Sequence, residues 1–282
     1  MPLPPEQLAK KAREVRREVI EMIYHAGSGH PGGSLSSTDI LTALFFSGCL
    51  RFNSHDPTDP RRDRFLLSCG HVCPAYYAVL SSCGFFVKEE LGNLRALDSP
   101  LQGHPSRMHA PFVECSTGSL GQGLGVAAGM ALAAFLKNEN YFVFALTSDG
   151  EHDEGSLWEA VMFAAHHQLG NLINIVDRNG MQIGGKTEKQ LALEPLAKKY
   201  ESFGWQALVV NGHDYRELIQ AICQAKENHR QPTAIIAQTV RGKGVSFMEG
   251  KKRYHACSLT PKEYEEAMRE LGQCEMKIRN SP

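Results

Sequence analysis

A chain of 282 residues with 42% hydrophobic and 22% charged side chains has ordinary globular composition, which excludes a fibre or a disordered polypeptide and suits one α/β architecture. A formal net charge of −1 supplies no basic field for nucleic acid or an anionic membrane surface, and no apolar run approaches the roughly 20 residues of a membrane helix. Met1 to Gln7 lacks the basic, apolar, small-residue order of an export signal, so the eight cysteines are expected to be reduced thiols in a cytoplasmic protein.

From Glu6 to His25, the apolar residues Leu8, Ala12, Val15, Val19, Met22 and Ile23 recur at three- and four-residue steps among charges, which predicts an amphipathic helix ending at Gly27. A second helix is expected from Ser36 or Ser37 to Phe46, with a hydroxyl side chain as its cap. Five runs then read as strands: Arg64 to Ser68, Tyr141 to Thr147, Leu172 to Val176, Gln206 to Val210 and Thr233 to Ala237. Four are nearly continuous in apolar content, as strands buried on both faces require. Gly121 to Leu136, Ser156 to Gln168, Leu191 to Phe203 and Asp214 to Asn228 read as the helices between them. Strand and helix alternating at this spacing imply parallel pairing, hence an α/β fold: a doubly wound, mostly parallel sheet with helices on both faces. No composition break divides residues 1–282, which read as a single domain with a helical tail from about residue 256 and a final helix from Pro261 to about Leu271.

In such sheets ligands collect at the carboxyl ends of the strands. Thr147-Ser148-Asp149-Gly150-Glu151-His152-Asp153-Glu154-Gly155 lies between a buried strand and a helix, where a carboxylate can face a hard cation and the helix N-terminus an anionic phosphate. Thirty positions on, Asp177-Arg178-Asn179-Gly180-Met181 ends the next strand, offering the Asn179 amide oxygen and the Met181 carbonyl. One Asp and one Asn suit magnesium, which takes few carboxylates and completes its shell with phosphate and water. Either turn alone is also ordinary loop chemistry; the pair at consecutive strand ends favours the metal. Cys69, His71 and Cys73 are close in sequence but lack the paired spacing of structural zinc.

The two turns resemble the thiamine-diphosphate signature, which opens with Gly-Asp-Gly and closes with Asn; Ser148 stands at the first glycine. Gly27 to Ser34 with its Ser-Gly-His-Pro-Gly core, Ser68-Cys69-Gly70-His71, Gly103-His104-Pro105 and Ser116 to Gly123 resemble, in the same order, segments of the transketolase N-terminal domain. The resemblance runs from about Glu6 to His255. It implies Mg2+ on Asp149, Asn179 and the Met181 carbonyl, with His71, Gly118, Ser119, Leu120, Gly150, Glu151 and Asn179 around thiamine diphosphate. It also implies that His30, His104 and His71 face the reacting sugar. Glu154 matches an acidic residue near the family's subunit contact, though the helix dipole explains an acid there equally well. His255 is either the family's late histidine or part of a loop.

Full-length transketolases carry a pyrimidine-binding domain with the glutamate that activates the cofactor, and this chain has no match to it. The resemblance therefore implies the N-terminal subunit of a two-chain enzyme, of α2β2 form, that transfers a two-carbon ketol unit between sugars, phosphorylated ones being the family expectation. Two alternatives compete with it. The α subunit of a 2-oxoacid dehydrogenase would not show the Ser-Gly-His-Pro-Gly and Ser116 to Gly123 segments together, and a non-catalytic relative would have no need of an intact set of site residues.

Overall fold

The computed structural model describes residues 2–279. Helix α1 (Pro5–Ala26) buries the expected apolar stripe and ends where Gly27, at φ +63°, returns its N–H to the Tyr24 carbonyl. Helix α2 (Pro31–Phe46) begins well before the expected Ser36 or Ser37, with His30 at its N-cap, Pro31 in its first turn and no side-chain cap. Gly32 and Gly33 are helical glycines chosen for space: a Cβ on Gly33 would stand 2.7 Å from the Val72 side chain, and one on Gly32 2.7 Å from the Tyr254 carbonyl. The hydroxyls of Ser36 and Ser37 donate to Asp177 instead of capping the helix.

Strand β1 (Arg64–Leu67) leads to α3 (Cys73–Ser82), a helix not foreseen from the sequence. After a long irregular stretch come α4 (Gly123–Lys137), β2 (Val143–Ser148), α5 (Gly155–His166) and β3 (Leu172–Arg178). A small hairpin follows, β4 (Met181–Gln182) with β5 (Gly185–Lys186). The expected helix from Leu191 to Phe203 forms only as α7 (Leu196–Ser202), while a one-turn helix, α6 (Thr187–Gln190), lies before the expected start. Pro195 sets the start of α7, because its ring excludes a helical residue before it and it lacks an N–H to continue a ladder. Then β6 (Gln206–Asn211), α8 (Tyr215–Glu227), β7 (Thr233–Gln238) and α9 (Pro261–Arg279) complete the chain. The tail expected to be helical from about 256 is extended as far as Thr260, and Cys257 donates its N–H to the Gly29 carbonyl at 3.0 Å.

The five long strands pair in parallel in the order β1-β2-β3-β7-β6. Alternate strand residues point to opposite faces, so Phe65, Phe144, Ile173 and Ile235 pack with α1, α2, α3 and α8. Leu66, Ala145, Leu172 and Ile236 pack with α4, α5 and α7. The β6-to-β7 step returns toward the sheet centre, and its crossover helix α8 therefore lies on the face opposite α4 and α5, as right-handed connections demand. The carboxyl ends of β1, β2, β3 and β7 open on one side, with the N-terminus of α2 above them. No helix among the described residues is long and apolar enough to cross a membrane.

Candidate functional site

Two strand ends build the base of the site. Ser148 and Asp177 are partners in the β2–β3 register, so Asp149 and Asn179 follow from neighbouring strands. Ser148 ends β2 in regular strand pairing, so the position needs no glycine. Asp149 is 1% exposed. Its Oδ1 accepts the Gly150 N–H at 2.8 Å, and its Oδ2 accepts the Gly180 N–H at 2.6 Å and Arg178 at 3.1 Å. Burial, then the neighbouring Asp177, push its pKa up to about 6, so the carboxylate is short of compensating positive charge. The Asn179 Oδ1 accepts the Met181 N–H at 3.1 Å, and the Met181 carbonyl accepts Arg241 at 2.7 Å. Carboxylate, amide and carbonyl are all hard oxygen donors, the set that suits magnesium.

Four imidazoles stand over this base. His30 caps α2, His71 lies in a 3-10 turn after β1, His104 in the loop before α4, and His255 in a 3-10 turn after β7. From His30 the ring centroids lie 5.1 Å to His71, 5.6 Å to His255 and 6.4 Å to His104. The bridge between Cys257 and Gly29 explains why His255, ambiguous in sequence, arrives beside His30. Burial first, then the nearby rings and cationic guanidinium groups, lower His30 and His255 to about 4, put His71 well below its ordinary value and lower His104. All four are therefore neutral at neutral pH, each with one N–H donor and one acceptor nitrogen. Together with Gly118, Leu120, Gly150, Asn179 and Met181 they line a cavity of about 420 Å³.

Gly118 makes the wall fit. Its φ is +143°, and a Cβ there would stand 2.8 Å from the His104 ring. Two expected contacts fall elsewhere. Ser119 is exposed and off the cavity wall. Glu151 is fully buried, and its carboxylate accepts the Ser68 hydroxyl, the Gly121 N–H at 2.8 Å and the Ser148 N–H at 3.3 Å. A carboxylate so engaged ties three loops together, and it does not line the cavity. Glu154 is an exposed N-cap of α5 at the cavity rim, making no capping hydrogen bond through its side chain. The Cys69 and Cys73 thiols donate to the carbonyls of Leu146 and Gly103.

The structure also supplies residues that the sequence did not single out. Arg241, 3% exposed, donates to the Met181 carbonyl and to His255 Nδ1, while its Nε has no partner among the described residues. His30 Nδ1 and Thr117 Oγ1 are likewise buried without partners. Asp177 lies at the floor and accepts Ser36, Ser37 and Thr239 hydroxyls. The sequence signal for Arg241 is its place, three residues past a buried strand. Unsatisfied buried polar atoms around one cavity indicate a polar ligand that completes them.

Residues 8–279 match the family model described as transketolase, thiamine diphosphate binding domain. The chain is 38% identical to one subunit of the apulose-4-phosphate transketolase of Phocaeicola vulgatus, over 95% of each chain. It is 40% identical to the 6-deoxy-6-sulfo-D-fructose transketolase subunit SqwG of Clostridium sp. strain MSTE9, over 94% of this chain and 96% of that one. It is also 41% identical to human transketolase, covering 94% of this chain but only 42% of the human one. Among solved structures, Campylobacter jejuni transketolase superposes with a TM-score of 0.90 at 34% identity, over 96% of this chain and 43% of that one.

Proposed function

The chain belongs to the transketolase family, as its thiamine diphosphate binding domain, and from that premise we propose that it is the diphosphate- and metal-binding subunit of a two-chain transketolase. The reaction moves a two-carbon ketol unit from a ketose donor, a sugar phosphate in our reading, to an aldose acceptor. The observation that carries the proposal is the convergence of Asn179, Met181 and four neutral histidines on one cavity, with Asp149 buried beside them and accepting the N–H groups of Gly150 and Gly180. Relatives named as subunits match this chain end to end, whereas it spans about two fifths of human transketolase. This favours a separate pyrimidine-binding subunit, with α2β2 stoichiometry as the proposed assembly and 1–282 acting as one domain.

Asp149, Asn179 and the Met181 carbonyl would hold Mg2+, and Gly150, Gly118, Leu120 and His71 would line the cofactor. Bound thiamine diphosphate supplies the carbon nucleophile and electron sink that protein side chains lack. The chain's own groups bind, orient and move protons. Neutral His30 and His104 can donate N–H hydrogen bonds to the donor's carbonyl and hydroxyl oxygens, where charge develops during attack. Their acceptor nitrogens can take hydroxyl protons without first losing one. His255, polarised by Arg241 at Nδ1, belongs to the same array and is proposed as a fourth sugar-facing group. Relatives of similar identity are named for a phosphorylated and a sulfonated sugar, which fits a cavity that reads only the ketol end.

Calorimetric titration with thiamine diphosphate and Mg2+, for the chain alone and mixed with a partner subunit carrying the pyrimidine-binding domain, tests the reading. Binding that appears or strengthens greatly with the partner supports it. Equally tight binding by the chain alone would remove the requirement for a second polypeptide.

A further inference from the structure

Arg241 lines the cavity but sits on a turn that is held from outside it. His213 follows β6 in the turn before α8, and that turn lies hard against the end of β7. Gly212 donates its N–H to the Gln238 carbonyl at 2.8 Å, and a Cβ on Gly212 would stand 2.5 Å from the Thr239 side chain. The close approach lays His213 beside Val240, whose N–H meets Nε2 of the ring at 2.8 Å, while Nδ1 lies 2.6 Å from Asp39 Oδ2. A backbone N–H can only donate, so Nε2 is the acceptor and the ring proton sits on Nδ1, donating to Asp39. Asp39, buried in α2, is itself fixed by both terminal nitrogens of Arg16 and by the Tyr215 hydroxyl. The imidazole is thus a strut from α2 to the residue before Arg241, and neither His213 nor Val240 lines the cavity.

We propose that His213 is a positioning residue that acts through Arg241, a proposal that rests on the transketolase reading above. The Arg241 guanidinium bridges the Met181 carbonyl and His255 Nδ1, so one side chain touches a proposed metal donor and a proposed sugar-facing ring. Arginine donates from every nitrogen, so His255 accepts at Nδ1 and keeps its proton at Nε2, where it is a hydrogen-bond donor. Both contacts hold only while the backbone at Arg241 is fixed. Thr239 pins the turn on one side through Asp177, and Gly242 pins it on the other through the Gly32 carbonyl. Between these anchors His213 holds the Val240 N–H. Without the ring that N–H loses its partner, Arg241 shifts against its two targets, and His255 loses the contact that sets its tautomer.

Two measurements test this. Imidazole nitrogen NMR of the full chain should place the His213 proton on Nδ1 and the His255 proton on Nε2, and His213→Ala and Arg241→Ala should each turn His255 into a mixture of tautomers. Kinetics of the chain assembled with its partner then form a double-variant cycle. His213→Ala should lower kcat by roughly 10-fold to 100-fold, and in the Arg241→Ala background it should lower kcat no further, because the side chain it positions is gone. His213→Gln, whose amide also joins a donor to an acceptor, should recover part of the loss. A His213 proton on Nε2, or losses that multiply in the double variant, would overturn the proposal. So would a lower melting temperature with kcat and the His255 tautomer unchanged, since His213 would then be structural only. An inactive wild-type assembly would sink the transketolase reading and the role of His213 with it, whereas the other outcomes arise with an active wild type and sink this proposal alone.

Discussion

Asp149 is the residue on which the proposed metal chemistry turns. It is buried, its pKa is raised to about 6, and its nearest acid is Asp177. Asp149→Ala relieves a buried carboxylate but leaves the Gly150 and Gly180 N–H groups and Arg178 without it, so the chain should stay folded at some cost in stability while cofactor-dependent activity with the partner falls on the order of 100-fold or more; full activity would contradict the site. His30 is assigned to the sugar, with an unpartnered Nδ1 facing its surroundings. His30→Ala should lower kcat by roughly 100-fold while cofactor affinity stays within a few-fold, read by steady-state kinetics beside calorimetry. The family resemblance groups Glu151 with the cofactor contacts, but its three internal partners make it a clamp. Glu151→Ala should therefore cost about 2–4 kcal/mol in denaturant unfolding, because it orphans buried donors. A site role alone would reduce activity with no loss of stability. Sequence spacing singled out Asp149 and Asn179 as candidate ligands but said nothing of which oxygen atoms remain free, since that depends on neighbours distant along the chain.

At the scale of elements, period and apolar content were enough for α1, for all five long strands and for α4, α5 and α8, because a buried stripe or a doubly buried strand leaves a local pattern. Gly-Gly at the start of α2 and Pro195 before α7 misled for opposite reasons. The glycines sit inside the helix because Val72 and Tyr254 leave no room for a Cβ, a contact that sequence order hides, whereas the proline breaks a pattern whose apolar spacing alone looked continuous. The loop that carries Gly118 shows how an element's shape becomes chemistry. Gly118→Ala would strain a φ of +143° and press on the His104 ring. The expected cost is about 1–2 kcal/mol in stability together with a fall in turnover of about tenfold or more. Unchanged kinetics would show that His104 tolerates displacement and is not held by this wall.

Burial holds His30, His71, His152 and His255 neutral in the folded chain. His152, 3% exposed, has a pKa lowered to about 4 by burial, and its two nitrogens meet the Ser148 carbonyl and the Tyr200 hydroxyl, both at 2.9 Å. His30 and His255 are likewise lowered to about 4. Between their folded values and the unfolded value near 6.5, the unfolded chain binds more protons, so this stability is complete above pH 6.5 and is lost as pH falls toward 4. His152 alone accounts for on the order of 3 kcal/mol. Asp149, raised to about 6, acts with the opposite sign and offsets part of the loss. Urea midpoints measured from pH 7 to pH 4 should fall steadily, and a flat profile would mean that the rings are not held neutral. Size measurement of the chain mixed with its partner should give a complex, and its absence would sink the two-chain reading. By itself the sequence determined the α/β class, the order of strands along the chain and the pairing of an Asp turn with an Asn turn, because these are written in local period and spacing. Only the tertiary structure decided that β7 lies between β3 and β6, that His255 and Arg241 join the cavity and that Glu151 leaves it. Those outcomes rest on sheet pairing, on the bridge from Cys257 to Gly29 and on hydrogen bonds between residues far apart in the chain, which no local pattern encodes.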